Sequence, residues 1–248
     1  MRKRSVLLAT AAAVGAFVLP GLAAPAVAAP PPEVSPLIVG GHDATEEYSF
    51  VVSLQQQGQH ACGGSLIAAD RVVTAAHCVG GSGYTVRVGS NDHTSGGEEA
   101  GVASIRTHPT GDIAVLTLDR PVSATPIPIA DDSGDPGTAT RIIGWGQTCA
   151  EPGCGPAPRT LQELDTQVVP DADCLGIDGA NEICTDNPGG DSGACYGDSG
   201  GPQIKGTPGN WELIGATSRA GNENPTCATG PSIYADVVAY ADWIRTAA

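Results

Sequence analysis

Gly197-Asp198-Ser199-Gly200-Gly201-Pro202 places one serine among three glycines, ahead of a proline. Glycine takes up positive φ as readily as negative. This hexapeptide can therefore turn sharply, leave the hydroxyl exposed and aim backbone N–H groups at one spot. A glycine-rich turn alone decides nothing, so its surroundings must. Downstream, 203–205, 211–216 and 232–234 are short apolar or β-branched runs. Upstream the same texture recurs at 138–143 and 161–169, then at 50–54, 64–67, 71–75, 84–88, 102–106 and 113–118. Runs of this length between turn-forming residues read as strands. With 34 glycines and 20 prolines in 248 residues, so many short strands predict an all-β barrel or sandwich and argue against helical enzyme folds. The Pro- and Asp-rich stretch 121–136 reads as a linker between two β-halves. Val237, Val238, Ala241 and Ile244 fall at helical spacing and predict a terminal amphipathic helix.

The amino terminus speaks to compartment. Met1-Arg2-Lys3-Arg4, the apolar stretch 6–18 and the small-residue site Ala26-Val27-Ala28 read as a bacterial-type signal peptide over residues 1–28. The apolar run is broken at Pro20 and Gly21, and no later segment is long enough to span a bilayer, so the reading is a secreted, extracellular protein. Without residues 1–37 the chain keeps 9 basic against 26 acidic residues, a formal charge of −17. That balance opposes nucleic acid and anionic membranes as partners and favours solubility outside the cell. All eight cysteines follow the leader. An even count in an exported chain favours disulfides over metal ligation, and eight cysteines allow about 105 full pairings.

Acyl transfer to water at neutral pH needs a nucleophile, a base, a group that orients the base, and donors for the developing oxyanion. Ser199 in its turn supplies the first. His77 lies among small residues in Thr74-Ala75-Ala76-His77-Cys78, where the adjacent cysteine can pin the backbone. Asp112 stands at the mouth of the apolar run Asp112-Ile113-Ala114-Val115-Leu116-Thr117-Leu118. Together with Ile38-Val39-Gly40-Gly41, Gly144-Trp145-Gly146 and Thr217-Ser218, these segments resemble the chymotrypsin/trypsin family of serine proteases, in order and spacing, from Ile38 to the C-terminus.

The resemblance implies two six-stranded antiparallel β-barrels with a C-terminal α-helix, as one protease domain over 38–248 with its halves meeting near 121–136. It implies His77, Asp112 and Ser199 as the triad and the N–H groups of Gly197 and Ser199 as the oxyanion hole. Residues 29–37 become a propeptide. Cleavage between Leu37 and Ile38 would free an α-amino group to pair with the Asp198 carboxylate. The implied disulfides are Cys62–Cys78, Cys174–Cys184 and Cys195–Cys227; Cys149 and Cys154 remain and would close a small local loop.

For the primary pocket, the resemblance puts the uncharged Gly193 and Ala194 at the floor, where trypsin-like relatives carry an aspartate. Asp191 lies two positions too early to serve. Ala220 and Ser232 align with walls that are glycine in large open pockets, so small or medium apolar side chains are expected before the cleaved bond, an elastase-like habit. An aromatic preference is the alternative. Tyr196, Ser218 and Arg219 flank the entrance; Arg219 either draws acidic substrate residues or lies across the surface. The short connection 108–112 should leave the cleft open. No metal or cofactor is assigned: Ser90 stands where some relatives supply a calcium ligand, and Glu98 and Glu99 alone are a weak, solvated pair. Expected partners are polypeptide substrates and protein protease inhibitors, the chain itself being a monomer. The rival class is a catalytically silent family member that serves as a binding protein.

Overall fold

A computed structural model describes residues 38–247; the expected signal peptide and propeptide lie outside the described residues. Thirteen strands and one α-helix follow one another: β1 His42–Asp43, β2 Val51–Gln56, β3 Gln59–Ala68, β4 Arg71–Thr74, β5 Tyr84–Val88, β6 Glu98–Thr107, β7 Ala114–Leu118, β8 Ala139–Gly144, β9 Gln162–Gln167, β10 Glu182–Thr185, β11 Pro202–Thr207, β12 Asn210–Ala220, β13 Ser232–Asp236 and α1 Ala241–Thr246. No described helix is long and apolar enough to cross a membrane.

Strands β2-β3-β4-β7-β6-β5 close a six-stranded antiparallel barrel. Alternation sets its inner face, as in β5, where Tyr84, Val86 and Val88 are buried while Thr85 is exposed. The other strands form a sheet in the order β1-β9-β8-β11-β12-β13-β10. An antiparallel bridge between Val168 and Thr185 joins the continuation of β9 to β10, so six of these strands curl into a second barrel with the two-residue β1 added outside. Ile142, Leu164, Ile183, Ile214 and Tyr234 fill its interior, and the buried Ile38 packs among them. Between the halves, 121–136 crosses in extended form. Ile127 N–H donates to Leu66 of the first barrel (2.9 Å), and Pro128 C=O accepts from Leu213 of the second (2.8 Å).

The terminal helix is shorter than its apolar spacing predicts. Asp236 Oδ1 accepts from the N–H groups of Val238 and Ala239, which spends the predicted first turn on an Asx-type turn. The helix begins only at Ala241. Its Trp243, with Tyr240 just before it, packs edge-on against His108. Because His108 Nδ1 in turn accepts from Gly111 N–H (2.9 Å), the C-terminal segment steadies the short connection that delivers Asp112.

Candidate active site

The site lies where the two barrels meet. His77 stands in a 3₁₀ turn, Ala76–Val79, just after β4. The neighbouring Cys78 is bonded to Cys62 of β3, and the other disulfides are Cys149–Cys154, Cys174–Cys184 and Cys195–Cys227. Asp112 is just ahead of β7. Its Oδ1 accepts from His77 N–H (3.0 Å) and its Oδ2 meets His77 Nδ1 (2.8 Å). A carboxylate only accepts, so Nδ1 carries the proton and Nε2 is left as the basic nitrogen.

A third donor reaches the same carboxylate: Ser218 Oγ–H bonds Asp112 Oδ2 at 2.6 Å. The β12–β13 register shifts between Thr217 and Arg219, so Ser218 occupies a bulge, and the bulge turns its side chain toward Asp112. Burial pushes the Asp112 carboxyl up, but hydrogen bonds from His77 and Ser218 outweigh it and hold the group below the ordinary carboxylate range. The aspartate stays an anion beside the imidazole.

Ser199 lines the same cleft as His77, although no hydrogen bond joins its hydroxyl to the ring in this arrangement. Such contacts are often long before substrate binds. In residues 197–201 the main chain is almost fully paired: Asp198 N–H bonds Cys195 O, Gly200 N–H bonds Thr217 O and Gly201 N–H bonds Asp198 O. Among the described residues, the N–H groups of Gly197 and Ser199 find no protein acceptor. Two free donors therefore flank the hydroxyl.

Asp198 points the other way. It is 2% exposed, and among the described residues its two oxygens accept only from Gly146 N–H (2.8 Å) and Cys195 N–H (2.9 Å). Burial pushes its pKa up to about 6. A Cβ on Gly146 would lie 2.1 Å from Asp198 Oδ2, which accounts for glycine in the Gly144-Trp145-Gly146 segment. Ile38, 1% exposed, has its side chain in the second core, and Val39 pairs with Gly193 through Gly193 N–H to Val39 O at 2.9 Å.

Beside Ser199 opens a cleft of about 440 Å³ lined by Ala194, Tyr196, Ser218, Arg219, Ala220 and Ser232. Gly193, expected at its floor, is not among the lining residues, although a Cβ built on it would lie 3.9 Å from Ser232 Oγ. Asp191 is exposed, accepts from Ser192 Oγ and does not line the cleft. Arg219 turns away onto Glu182 in a two-pronged pair, with distances of 2.5 and 2.8 Å. Asn222, Asn224, Thr226 and Thr229 also line the wall. The sequence reading missed them, although Asn224 N–H to Asn222 Oδ1 and Thr226 N–H to Asn224 Oδ1 are the Asx turns that alternating Asn, Asn and Thr would suggest. Elsewhere Glu98 is engaged by Ser123 and Glu99 by Arg87.

An imidazole held by a carboxylate beside a hydroxyl, with two free N–H donors, is equipped for acyl transfer. The family model described as Trypsin matches residues 38–244. Trypsin alpha of Drosophila erecta is 34% identical, over 88% of this chain and 90% of that protein. A trypsin of Saccharopolyspora erythraea is 37% identical, over 83% of this chain and 95% of that one. Among solved structures, human heparin binding protein superposes with a TM-score of 0.72 at 28% identity, covering 84% of this chain and 96% of its own.

Proposed function

This chain belongs to the trypsin family of serine proteases and is a serine endopeptidase, and from that premise we propose that His77, Asp112 and Ser199 are its triad. Ser199 Oγ attacks the scissile carbonyl while His77 Nε2 takes its proton. The tetrahedral oxyanion is held by the N–H groups of Gly197 and Ser199, the observation that carries this reading, because these two donors alone in the turn are unspent. His77 then gives the proton to the departing amine, and a water attacks the acyl-enzyme by the same steps. Asp112 keeps the ring in the required tautomer and stabilises the imidazolium.

Maturation would cut between Leu37 and Ile38. The freed ammonium has an obvious counter-charge in Asp198, whose buried carboxylate has only two N–H partners among the described residues. We assign the enzyme to the extracellular space as a monomer, on the leader sequence and the net acidity. Polypeptides are its substrates, and protein inhibitors would use the same cleft. Heparin binding is the property named for the structural relative, and an excess of 17 negative charges in this chain after residue 37 offers a polyanion no counterpart.

For specificity we propose small or medium apolar side chains before the cleaved bond. Several relatives are named trypsins, but among the described residues no acidic side chain lines this cleft, so a substrate Lys or Arg would lose its water without gaining a counter-charge. The Ala220 and Ser232 side chains narrow the slot, and each methylene accommodated in it gains about 0.8 kcal/mol. A set of peptide anilides varying only in the residue before the bond, on material beginning at Ile38, should give the highest kcat/KM for Ala, Val or Leu. Fastest turnover on Arg or Lys overturns the pocket reading. Wild type should be labelled by a peptidyl phosphonate and Ser199→Ala should not, with turnover reduced about a million-fold. An unlabelled, correctly processed wild type overturns the triad.

A further inference from the structure

One ring outside the triad reaches the oxyanion turn. His60 of β3, in the first barrel, places Nε2 3.0 Å from the carbonyl oxygen of Gly197, and its Nδ1 lies 2.9 Å from Ser53 Oγ of β2. A carbonyl only accepts, so Nε2 bears the proton and Nδ1 accepts from the serine hydroxyl. The ring packs against His93 and Trp145, with centroids 5.4 Å away in each case, so it is fixed on its flanks as well as at both nitrogens.

The bond falls at a decisive place. The Gly197–Asp198 peptide lies between the two peptides that carry the free N–H donors. The outer pair is held from elsewhere, Tyr196 C=O by Gln147 N–H and Asp198 C=O by Gly201 N–H, each at 2.8 Å. The middle peptide is held on its nitrogen side by Asp198 N–H to Cys195 O (3.0 Å) and on its oxygen side by His60. Gly197 has φ +103°, a conformation from which a glycine rotates at little steric cost, so the chain's own preferences do not lock this peptide.

We propose that His60 is a positioning residue for the oxyanion hole: its Nε2–H, presented from the first barrel, fixes the Gly197 carbonyl and thereby keeps the flanking N–H groups turned into the cleft. Burial pushes the ring's pKa down to about 4, so it remains neutral, with one nitrogen free to accept from Ser53, across the range in which such an enzyme works. The inference rests on the protease reading above.

The test compares His60→Phe, which keeps a flat ring but loses the donor, with His60→Gln, whose amide can restore an N–H to Gly197. On the best anilide, His60→Phe should lower kcat about 10-fold to 100-fold with KM within about twofold, and His60→Gln should recover to within about fivefold. A folded His60→Phe with unchanged kcat, or a His60→Gln as slow as His60→Phe, overturns the proposal. If His60→Phe does not accumulate, Ser53→Ala decides: a loss of about twofold to fivefold in kcat supports it, and none overturns it. A wild type silent on every substrate would defeat the protease reading instead, so the two failures are separable.

Discussion

Ser232 and Ala220 both line the cleft, so on the proposed reading the width of the slot is set by one hydroxymethyl group and one methyl. Replacing both by glycine should open room for an aromatic ring. Ser232→Gly with Ala220→Gly is expected to raise kcat/KM for Phe relative to Ala by at least about 10-fold, in line with the one to three kcal/mol that pocket-filling groups are worth. The two glycines in strands should together cost about 1 to 2 kcal/mol of stability. An unchanged Phe-to-Ala ratio in the same anilide series would show that these side chains do not set the slot. At this scale the sequence was legible where a short motif carries the side chains: His77 and Asp112, singled out there, are hydrogen-bonded to each other, and Ser199 lines the same cleft as His77. It was less legible where a role depends on a backbone irregularity. Ser218 was placed at the pocket entrance, but the bulge that aims it at Asp112 exists only once β12 and β13 are paired. His60 was missed for the same reason, since its partner Gly197 is 137 residues away.

Most strands could be read because β-branched runs between turn formers are a local signal, and their edges moved by only a few residues on pairing. The 10-residue β6 shows why: Glu98 to Gly101 have no apolar alternation, yet they pair with β5 and so extend the strand. Glu182–Thr185 was not recognised, being four residues between turns, and it becomes a strand through its ladder with β13. The loop closed by Cys149 and Cys154 supports the pocket wall in a way spacing alone does not show. Ala150 C=O accepts from Cys227 N–H (2.9 Å), and Gln147 just before the loop holds Tyr196 C=O (2.8 Å). Removing so short a cross-link, as Cys149→Ser with Cys154→Ser, should cost about 2 kcal/mol by loop-closure entropy. For a domain of this size that lowers Tm by about 4 to 8 °C. Because the loop braces the wall, KM should rise more than kcat falls. Calorimetry together with kinetics checks both, and a Tm loss with unaltered KM would reduce the bridge to a stabiliser without influence on the pocket.

At the scale of the whole molecule, maturation should change how stability depends on pH, because Asp198 is buried with no cation from the described residues beside it while Ile38 is still an internal residue. Its folded pKa, about 6 against an ordinary 3.8, is raised, so between those values the folded chain binds more protons than the unfolded one. Stability of the uncleaved protein therefore falls as pH rises from about 4 to about 6 and stays reduced above, by about 3 kcal/mol in all. Once the Ile38 ammonium pairs with the carboxylate, the carboxylate is the favoured form and the penalty is removed. His60, whose folded pKa is lowered to about 4, costs stability as pH falls below its ordinary 6.5, but it does so in both forms and drops out of their difference. The gap in Tm between processed and uncleaved Ser199→Ala protein, measured by calorimetry, should thus be small near pH 4 and wider by several degrees at pH 7.5. An equal gap at the two pH values would mean that Asp198 does not receive the new terminus, and the proposed activation would have to be abandoned even if the triad proved correct.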